Sequence, residues 1–392
     1  MRAMRPHPRP ARAAAALAAL PLLLSGAPRA VAADGPVRLP VVRTELAADE
    51  ECADASDRTA RNEPWTRGAL GLSRAWQHAR GAGVTVAVVD TGVGTSVPAL
   101  SGRVTAAGDA DVDCVGHGSF AAGLIAAAPA EGVGAAGVAP QARILAVRGT
   151  DERGATTPGQ LADGIRAAAD GGARVIYVGR ALPEGKKELT AAVAHATRRD
   201  ALVVAPFAPD ALPGGPDAAA PRWYWPGAVP EVLSVRDYGP GGGRPADAPT
   251  ALATDLAAPG DSVVSNGPEG SGHYLGSGAS LAAAHVAGAA ALVRARHPDL
   301  TAAEVSRRLT ATAYPALPPR LDTYAALTTL LPDTVGATPR QPLAHLPPDP
   351  STAPRERAVV IAAAGGGLVL LVAAGIAVIP RGRARGWRAA ER

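Results

Sequence analysis

Through the middle of the chain, from about Arg67 to Leu331, short apolar runs rich in β-branched residues alternate with longer Ala-rich segments of helical periodicity. This alternation is typical of a parallel sheet covered by helices on both faces, because strands buried on both sides are apolar along their whole length. The runs predict six strands: Val84 to Val89, Arg143 to Val147, Arg174 to Val178, Ala201 to Ala205, Val232 to Val235 and Ser262 to Ser265. We therefore expect one α/β domain over residues 67–331.

Two of the segments between the strands carry apolar residues on one helical face. In residues 161–169, and again in residues 189–196, the apolar positions recur at intervals of three or four. Thr301, followed three residues later by Glu304, forms a capping box that marks the start of another helix. These helices are expected to supply the layers that cover the sheet.

The first 32 residues have the organisation of a secretory signal. They contain five arginines, an apolar stretch from Ala13 to Leu24 and the small-residue sequence Ala30-Val31-Ala32, after which we expect cleavage. An uncleaved signal anchor is the alternative, but the apolar stretch is short and Pro21 interrupts it. Residues 1–32 are therefore interpreted as a signal peptide, and the residues that follow as exported.

A second apolar segment, residues 358–379, lies near the C-terminus and contains no charge. As a helix it would span about 33 Å, and the hydrocarbon core of a bilayer is about 30 Å thick. Five arginines follow it, and the positive-inside bias places residues 380–392 in the cytoplasm. A buried helix of a soluble domain is the alternative, which the uninterrupted apolarity disfavours. We expect a single-pass protein of the cell membrane whose larger part is extracellular.

Two further segments connect these parts. Residues 33–66 form a polar N-terminal extension that is too short for a domain, and residues 332–357 form a proline-rich, semi-extended linker. The chain has two cysteines, Cys52 in the extension and Cys114 in the domain. Because exported proteins usually oxidise such a pair, we expect a disulfide between them, and two such distant ligands do not suggest a zinc site.

The formal net charge of +4 is misleading about the exported part. Five basic residues lie in the signal and five in the C-terminal tail, so the region between them carries a formal charge of about −5. No basic stripe marks a nucleic-acid surface, and nucleic acid is not an expected partner.

Three short motifs carry the candidate chemistry. Asp90 follows the first predicted strand, at the end where catalytic groups of parallel sheets collect. His117 lies between two glycines at the start of an Ala-rich helix, where a carboxylate can orient it as a general base. Ser280 follows small residues at the start of a long apolar helix, which exposes its hydroxyl and points its N–H at a developing oxyanion.

Each motif has an ordinary explanation when it is taken alone, since aspartate and serine are common helix N-caps and loop histidines are common. Together they follow the order Asp, His, Ser, which is the order of the subtilisin triad. In this interpretation Ser280 attacks a carbonyl, His117 takes and returns the proton, and Asp90 orients the imidazole. His285, on the same helix as Ser280, is interpreted as a packed structural histidine.

The three motifs resemble the signatures of the subtilases, and the surrounding sequence resembles the mycosins. That surrounding sequence is Pro64-Trp65, Ala75-Trp76-Gln77, Asp113-Cys114, residues 137–144 and residues 321–328. The resemblance implies a subtilisin-like α/β fold, an endopeptidase that acts on secreted proteins, and a membrane complex of type VII secretion as partner. It also implies that the disulfide ties the extension to the domain and that residues 358–379 anchor the chain. Neither a cofactor nor a catalytic metal is expected.

The chain departs from the subtilase pattern at the oxyanion hole. Subtilases place an asparagine amide there, but the two asparagines of this chain, Asn62 and Asn266, lie in other segments. The backbone N–H of Ser280 then remains as the oxyanion donor. Asp210 ends the corresponding turn and could approach this position. An ionised carboxylate there would repel an oxyanion, unless its pKa were raised enough to keep it protonated. Loss of one such donor lowers turnover by about a hundredfold to a thousandfold.

The predicted substrate cleft differs as well, because Tyr177, Gly179 and Arg180 replace the Asn-x-Ser-Leu pattern of relatives. Arg180 either points into the cleft and favours acidic substrate side chains or lies in solvent, and we favour solvent because most arginines are exposed. In the serine signature, Ala279, Leu281 and Ala284 replace threonine, methionine and proline; such changes are usually tolerated.

These departures leave hypotheses of different classes. The first is a working serine endopeptidase of low or specialised activity, which needs Ser280. The second is a catalytically weak or inactive pseudoprotease that serves as a structural subunit of the secretion complex and does not need Ser280. A housekeeping protease unrelated to secretion is the third.

Overall fold

The computed structural model describes residues 38–212, 221–252, 254–331 and 352–386. The predicted signal peptide and most of the predicted linker lie outside these ranges. The chain forms two compact units, one that ends at Thr329 and one that begins at Leu330.

The first unit is built on a sheet of seven parallel strands in the order β2-β3-β1-β4-β5-β6-β7. The strands are β1 Thr85–Asp90, β2 Val104–Ala107, β3 Arg143–Arg148, β4 Val175–Val178, β5 Leu202–Pro206, β6 Leu233–Tyr238 and β7 Leu256–Pro259. Five of the six predicted strands lie in this sheet, which confirms the parallel architecture. The sixth forms β8 Val263–Asn266 and pairs antiparallel with β9 His273–Gly276 in a separate hairpin.

Helices cover both faces of the sheet, as the sequence pattern predicts. They are α1 Trp65–Ala69, α2 Leu72–Ala75, α3 His117–Ala126, α4 Pro158–Asp170, α5 Lys186–Arg198, α6 Ala279–Arg296, α7 Ala302–Ala311 and α8 Thr323–Thr328. Val86 and Val88 of β1 share a buried cluster with α3 and α6, whereas Ala87 and Val89 share another with α4 and α5. Successive strand residues therefore face opposite helix layers, which explains why residues 86–89 of β1 are all apolar.

The predicted capping box at the start of α7 is present. The Thr301 hydroxyl accepts from the backbone N–H of Glu304, and the Glu304 carboxylate accepts from the backbone N–H of Thr301 at 2.8 Å. Thr157 and Gln160 form a second capping box at the start of α4, which satisfies backbone donors that would otherwise be unpaired.

The N-terminal extension packs along the first unit. The backbone of Val42 donates to Leu275 at 2.9 Å, and Leu275 donates to Pro40 at 2.8 Å, so the extension bridges to β9. The Arg153 side chain donates to the carbonyl oxygens of Ala47 and Glu50. These contacts hold the extension over residues 40–50 before the chain reaches its cysteine.

Cys52 and Cys114 form the predicted disulfide, between residues 62 positions apart in the sequence. Next to it, the backbone N–H of Ala53 donates to the Cys114 carbonyl at 2.8 Å. The extension is thus covalently joined to the segment that leads into α3.

The second unit contains a helix of 33 residues, α9 Thr352–Ala384. An 18-residue window within its segment Arg357–Ala384 has a mean hydropathy of 2.5, and the segment is long and apolar enough to cross a membrane. The predicted apolar helix is therefore present, and it begins at Thr352, within the predicted linker.

We predict that replacing both cysteines with serine lowers the free energy of unfolding of the first unit. A disulfide closing a loop of about 60 residues contributes on the order of 4 kcal/mol in the chain-entropy model. Chemical unfolding of the full chain in detergent, followed by tryptophan fluorescence, measures the change. Reductant added to the wild-type chain is the control and should give the same midpoint as the double variant. An unchanged midpoint in both would contradict the prediction.

Candidate active site

The site lies at the carboxyl edge of the sheet, where three neighbouring strands end. Asp90 is the last residue of β1, Gly179 directly follows β4, and Asp210 lies four residues after β5. Val89 pairs with Val178, and Tyr177 pairs with Val204, so the parallel register brings these strand ends together. Polar groups collect here because the carboxyl ends of parallel strands open into a common crevice.

The three predicted catalytic side chains meet at this edge. His117 Nδ1 lies 2.7 Å from Asp90 Oδ2, and His117 Nε2 lies 3.1 Å from Ser280 Oγ. The side chains are buried, with exposed fractions of 0% for Asp90 and 1% each for His117 and Ser280. The hydroxyl, the imidazole and the carboxylate form a continuous chain with the spacing that nucleophilic catalysis requires.

Four groups surround the carboxylate of Asp90. Its Oδ2 accepts from His117 and from the Tyr177 hydroxyl at 3.3 Å, while Oδ1 accepts from the Thr91 N–H at 2.8 Å and lies 3.6 Å from Arg180 Nη1. Burial alone would raise the pKa of Asp90, but the charges of His117 and Arg180 and the hydrogen bonds hold it well below its usual range. Asp90 therefore stays ionised inside the protein.

Gly179 is required for this close packing. A Cβ atom at this position would lie 1.9 Å from Asp90 Oδ2, so no larger residue fits without displacing the carboxylate. The sequence prediction assigned Gly179 to the substrate cleft, and the structure adds this contact with Asp90.

Asp113 positions His117, although sequence reasoning gave it no role. Its carboxylate accepts from the N–H groups of Gly116 at 2.8 Å and Ser119 at 2.7 Å, and from the Thr91 hydroxyl at 2.8 Å. It thereby joins the end of β1 to the first turn of α3, which His117 begins. The aspartate three residues before the Gly-His-Gly sequence is the signal that could have revealed this role.

Asp210 occupies the oxyanion side of the nucleophile. Its Oδ1 accepts from the backbone N–H of Ser280 at 2.9 Å, and its Oδ2 lies 2.5 Å from Ser280 Oγ. Gly278 makes room, since a Cβ there would lie 2.2 Å from the carboxylate. The N–H that would bind an oxyanion is thus already bound to a carboxylate of the protein.

The carboxylates on both sides favour the charged form of His117. Burial alone would lower the pKa of His117, but the charge of Asp90 and the hydrogen bonds to Asp210 and Asp90 outweigh burial and the opposing charge of Arg180. The pKa of His117 is raised to about 9. The neutral imidazole, which can accept the Ser280 proton, is therefore the minor form at neutral pH and becomes the major form above that value.

The expectation that Arg180 lies in solvent is wrong. Its exposed fraction is 8%, and Nη1 lies 3.6 Å from Asp90 Oδ1 and 3.5 Å from His117 Nδ1. Carbonyl oxygens of the extension and of two loops bind the guanidinium, and the Asp90 charge attracts it, so burial costs less than for an unpaired cation. Gly179, Arg180 and Asp210 also line a cavity of about 350 Å³ beside the triad.

Two other polar residues are structural. The Asn266 amide donates to the carbonyl of Ser119 at 3.0 Å and does not approach the nucleophile. His285 Nδ1 lies 2.8 Å from the Pro259 carbonyl, and burial lowers the pKa of His285 to about 4. The interpretation of His285 as a packed structural histidine agrees with these contacts.

Comparison with known proteins identifies the family. Residues 81–340 match the subtilase family. The chain belongs to the subtilase family. This subtilase is a serine peptidase homologous to the mycosins: Mycosin-3 of Mycobacterium tuberculosis (strain ATCC 25618 / H37Rv) is 35% identical over 389 aligned residues, covering 80% of this chain and 83% of Mycosin-3. The resemblance found in the motifs is confirmed.

Solved structures confirm the subtilisin-like fold. A crystal structure of MycP1 from the ESX-1 type VII secretion system is 28% identical, has a TM-score of 0.62, and covers 76% of this subtilase and 98% of MycP1. A chain in the structure of an intact ESX-5 inner membrane complex is 27% identical, has a TM-score of 0.65, and covers 89% of this subtilase and 97% of that chain.

We predict that Asp210→Asn raises the turnover of this subtilase. The substitution removes a negative charge from the oxyanion side and supplies an amide donor, and one such donor contributes about a hundredfold to a thousandfold in turnover. The measurement is kcat for cleavage of an unstructured peptide by the full chain in detergent.

Asp210→Ala is the matched control for this prediction. It removes the carboxylate without supplying a donor, so its kcat should fall between those of the wild type and Asp210→Asn. Equal kcat values for the wild type and Asp210→Asn would show that Asp210 does not obstruct the oxyanion position.

Proposed function

We propose that this chain is a membrane-anchored extracellular serine endopeptidase in which Ser280, His117 and Asp90 are the catalytic residues. The observation that carries the proposal is the unbroken contact from Asp90 Oδ2 through the His117 ring to Ser280 Oγ, with distances of 2.7 and 3.1 Å. Secreted proteins are the proposed substrates. The low exposure of the triad favours an extended peptide segment over a folded surface.

In the first half of the reaction, Ser280 Oγ forms a bond to the peptide carbonyl carbon as its proton passes to His117 Nε2. The carbonyl oxygen gains the negative charge, and we assign the Ser280 N–H as the donor that binds it. His117 then gives the proton to the leaving amine, the C–N bond breaks, and an acyl-enzyme remains. In the second half, water loses a proton to His117 as its oxygen bonds to the ester carbon. The C–Oγ bond then breaks, His117 returns the proton to Ser280 Oγ, and the carboxylic acid product leaves.

We propose that Asp210 moves away from the Ser280 N–H when a substrate carbonyl binds. The N–H can make one such bond at a time, and the present bond to Asp210 Oδ1 is 2.9 Å long. Every turnover therefore includes displacement of a protein carboxylate, which supports a slow or specialised enzyme.

The proposed function predicts that Ser280→Ala abolishes peptide cleavage. Removing the nucleophile removes the acyl-enzyme, and comparable triad deletions cost about a millionfold in kcat. The measurement is cleavage of a mixed peptide library by the full chain in detergent, at pH 7 and at pH 9, where neutral His117 is more abundant. Identical product patterns from the wild type and Ser280→Ala would contradict the endopeptidase proposal.

A structural role is the second candidate function, and the position of Asp210 favours it. A carboxylate on the oxyanion donor opposes catalysis, and the relative in the ESX-5 inner membrane complex is a component of an assembly. We infer that this chain joins a type VII secretion membrane complex. In a deletion strain, a Ser280→Ala chain that restores both secretion and the assembled complex would favour the structural role. Failure of that chain to restore secretion, with the complex intact, would favour the enzyme.

The proposed topology places the first unit outside the cell and the end of α9 inside. Arg381, Arg383 and Arg385 follow the apolar segment, and the positive-inside bias keeps such arginines in the cytoplasm. We predict that a cysteine introduced by Leu330→Cys, at a position 96% exposed, reacts with a membrane-impermeant maleimide on intact cells. A cysteine introduced by Arg385→Cys should react after permeabilisation. If Arg385→Cys reacted on intact cells and Leu330→Cys reacted only after permeabilisation, the chain would have the opposite topology.

A further inference from the structure

Two charged side chains flank the His117 ring in addition to Asp90, and both occupy positions where the sequence departs from the subtilase pattern. Arg180 Nη1 lies 3.5 Å from His117 Nδ1, on the side of Asp90. Asp210 Oδ2 lies 3.6 Å from His117 Nε2, on the side of Ser280. One substitution adds a positive charge to the site and the other adds a negative charge.

Arg180 is held in place by neutral acceptors. Its Nη2 donates to the Thr44 carbonyl of the extension at 2.5 Å, its Nη1 donates to the Gly179 carbonyl at 3.2 Å, and Nε and Nη2 each lie 3.4 Å from the Gly154 carbonyl. Asp90 is its one carboxylate neighbour within salt-bridge distance in the described residues. The positive charge is therefore fixed beside the triad.

The approach of Arg180 to His117 is repulsive. Nδ1 carries a hydrogen because it donates to Asp90, so two donors face each other at 3.5 Å. A nearby cation disfavours the imidazolium and a nearby carboxylate favours it. Arg180 therefore disfavours the protonated form of His117, and Asp210 favours it.

The charges around His117 can be counted from every element that faces it. Asp90 from β1 and Asp210 after β5 are carboxylates, and Arg180 after β4 is the cation. Tyr177 from β4 donates to Asp90 and is neutral, because burial raises its pKa well above the usual value. Without Arg180, the imidazole would face two carboxylates and none of the described cations would balance them.

We propose that Arg180 is a positioning residue that acts as the counter-charge to Asp210, so that the two side chains together set the protonation state of His117. The proposal rests on the proposed function in one respect, since a neutral His117 matters for catalysis only if His117 is the general base. The charge balance itself does not depend on turnover, and it can be measured in a chain that cleaves nothing.

The test is the titration of His117 in the full chain in detergent, followed by NMR of histidine labelled with ¹⁵N and assigned by comparison with His117→Gln. Arg180→Gln should raise the pH at which His117 loses its proton by about one unit, because it removes a like charge whose repulsion disfavours the imidazolium. Asp210→Asn should lower it by about one unit. The double variant should titrate close to the wild type.

Two further variants separate the charge of Arg180 from its packing. Arg180→Lys keeps the cation, so its titration should lie between those of the wild type and Arg180→Gln, and it preserves the test if Arg180→Gln does not fold. Arg166→Gln removes a partly exposed arginine that pairs with Asp163 and should leave the His117 titration unchanged.

Superimposable titrations of the wild type, Arg180→Gln and Arg180→Lys would overturn the proposal, as would shifts of the same sign for Arg180→Gln and Asp210→Asn. Absence of peptide cleavage by every variant, with the titrations shifted as expected, would contradict the endopeptidase function and leave the charge balance standing.

Discussion

The parallel pairing of β1 with β4, and of β4 with β5, is the constraint on which the site depends. It places the carboxyl ends of three strands side by side, and each end supplies a different polar group to the site around His117. Asp90 comes from the first strand, Arg180 from the loop after the second and Asp210 from the loop after the third. A shift of register at either pairing would separate these groups, so the chemistry is a consequence of how the sheet is aligned.

This arrangement buries the Asp90 carboxylate, and the loss of its hydration is the main electrostatic cost of the site. A fully buried carboxylate is stable when hydrogen bonds and an opposite charge replace the water it loses. Here the Thr91 amide, the Tyr177 hydroxyl, the His117 ring and the Arg180 guanidinium supply that replacement. Because Arg180 is in turn held by the Thr44 carbonyl, the N-terminal extension contributes to the environment of the catalytic carboxylate.

Much of this could be predicted from the sequence, because the informative signals are local. Each triad residue lies at the end of a strand or the start of a helix, and a window of about ten residues is enough to recognise that boundary. The apolar runs of the central strands also identify those strands clearly. The sequence pattern does not predict β2, β7 or β9, which have four residues each, and it assigns β8 to the parallel sheet because a short apolar run does not reveal its partner. The burial of Arg180 depends on Thr44 and Gly154, and no sequence window contains all three residues. The contact of Asp210 with Ser280 joins residues 70 positions apart.

The link between Cys52 and Cys114 has a practical consequence for studying such a chain. A single cut in the backbone between the two cysteines leaves both fragments covalently joined. On a denaturing gel without reductant, a chain nicked there by itself or by another protease would migrate as one band near the position of the intact molecule. Backbone cleavage between Cys52 and Cys114 therefore becomes visible only after the disulfide is reduced. A single band without reductant is not evidence of an uncut backbone.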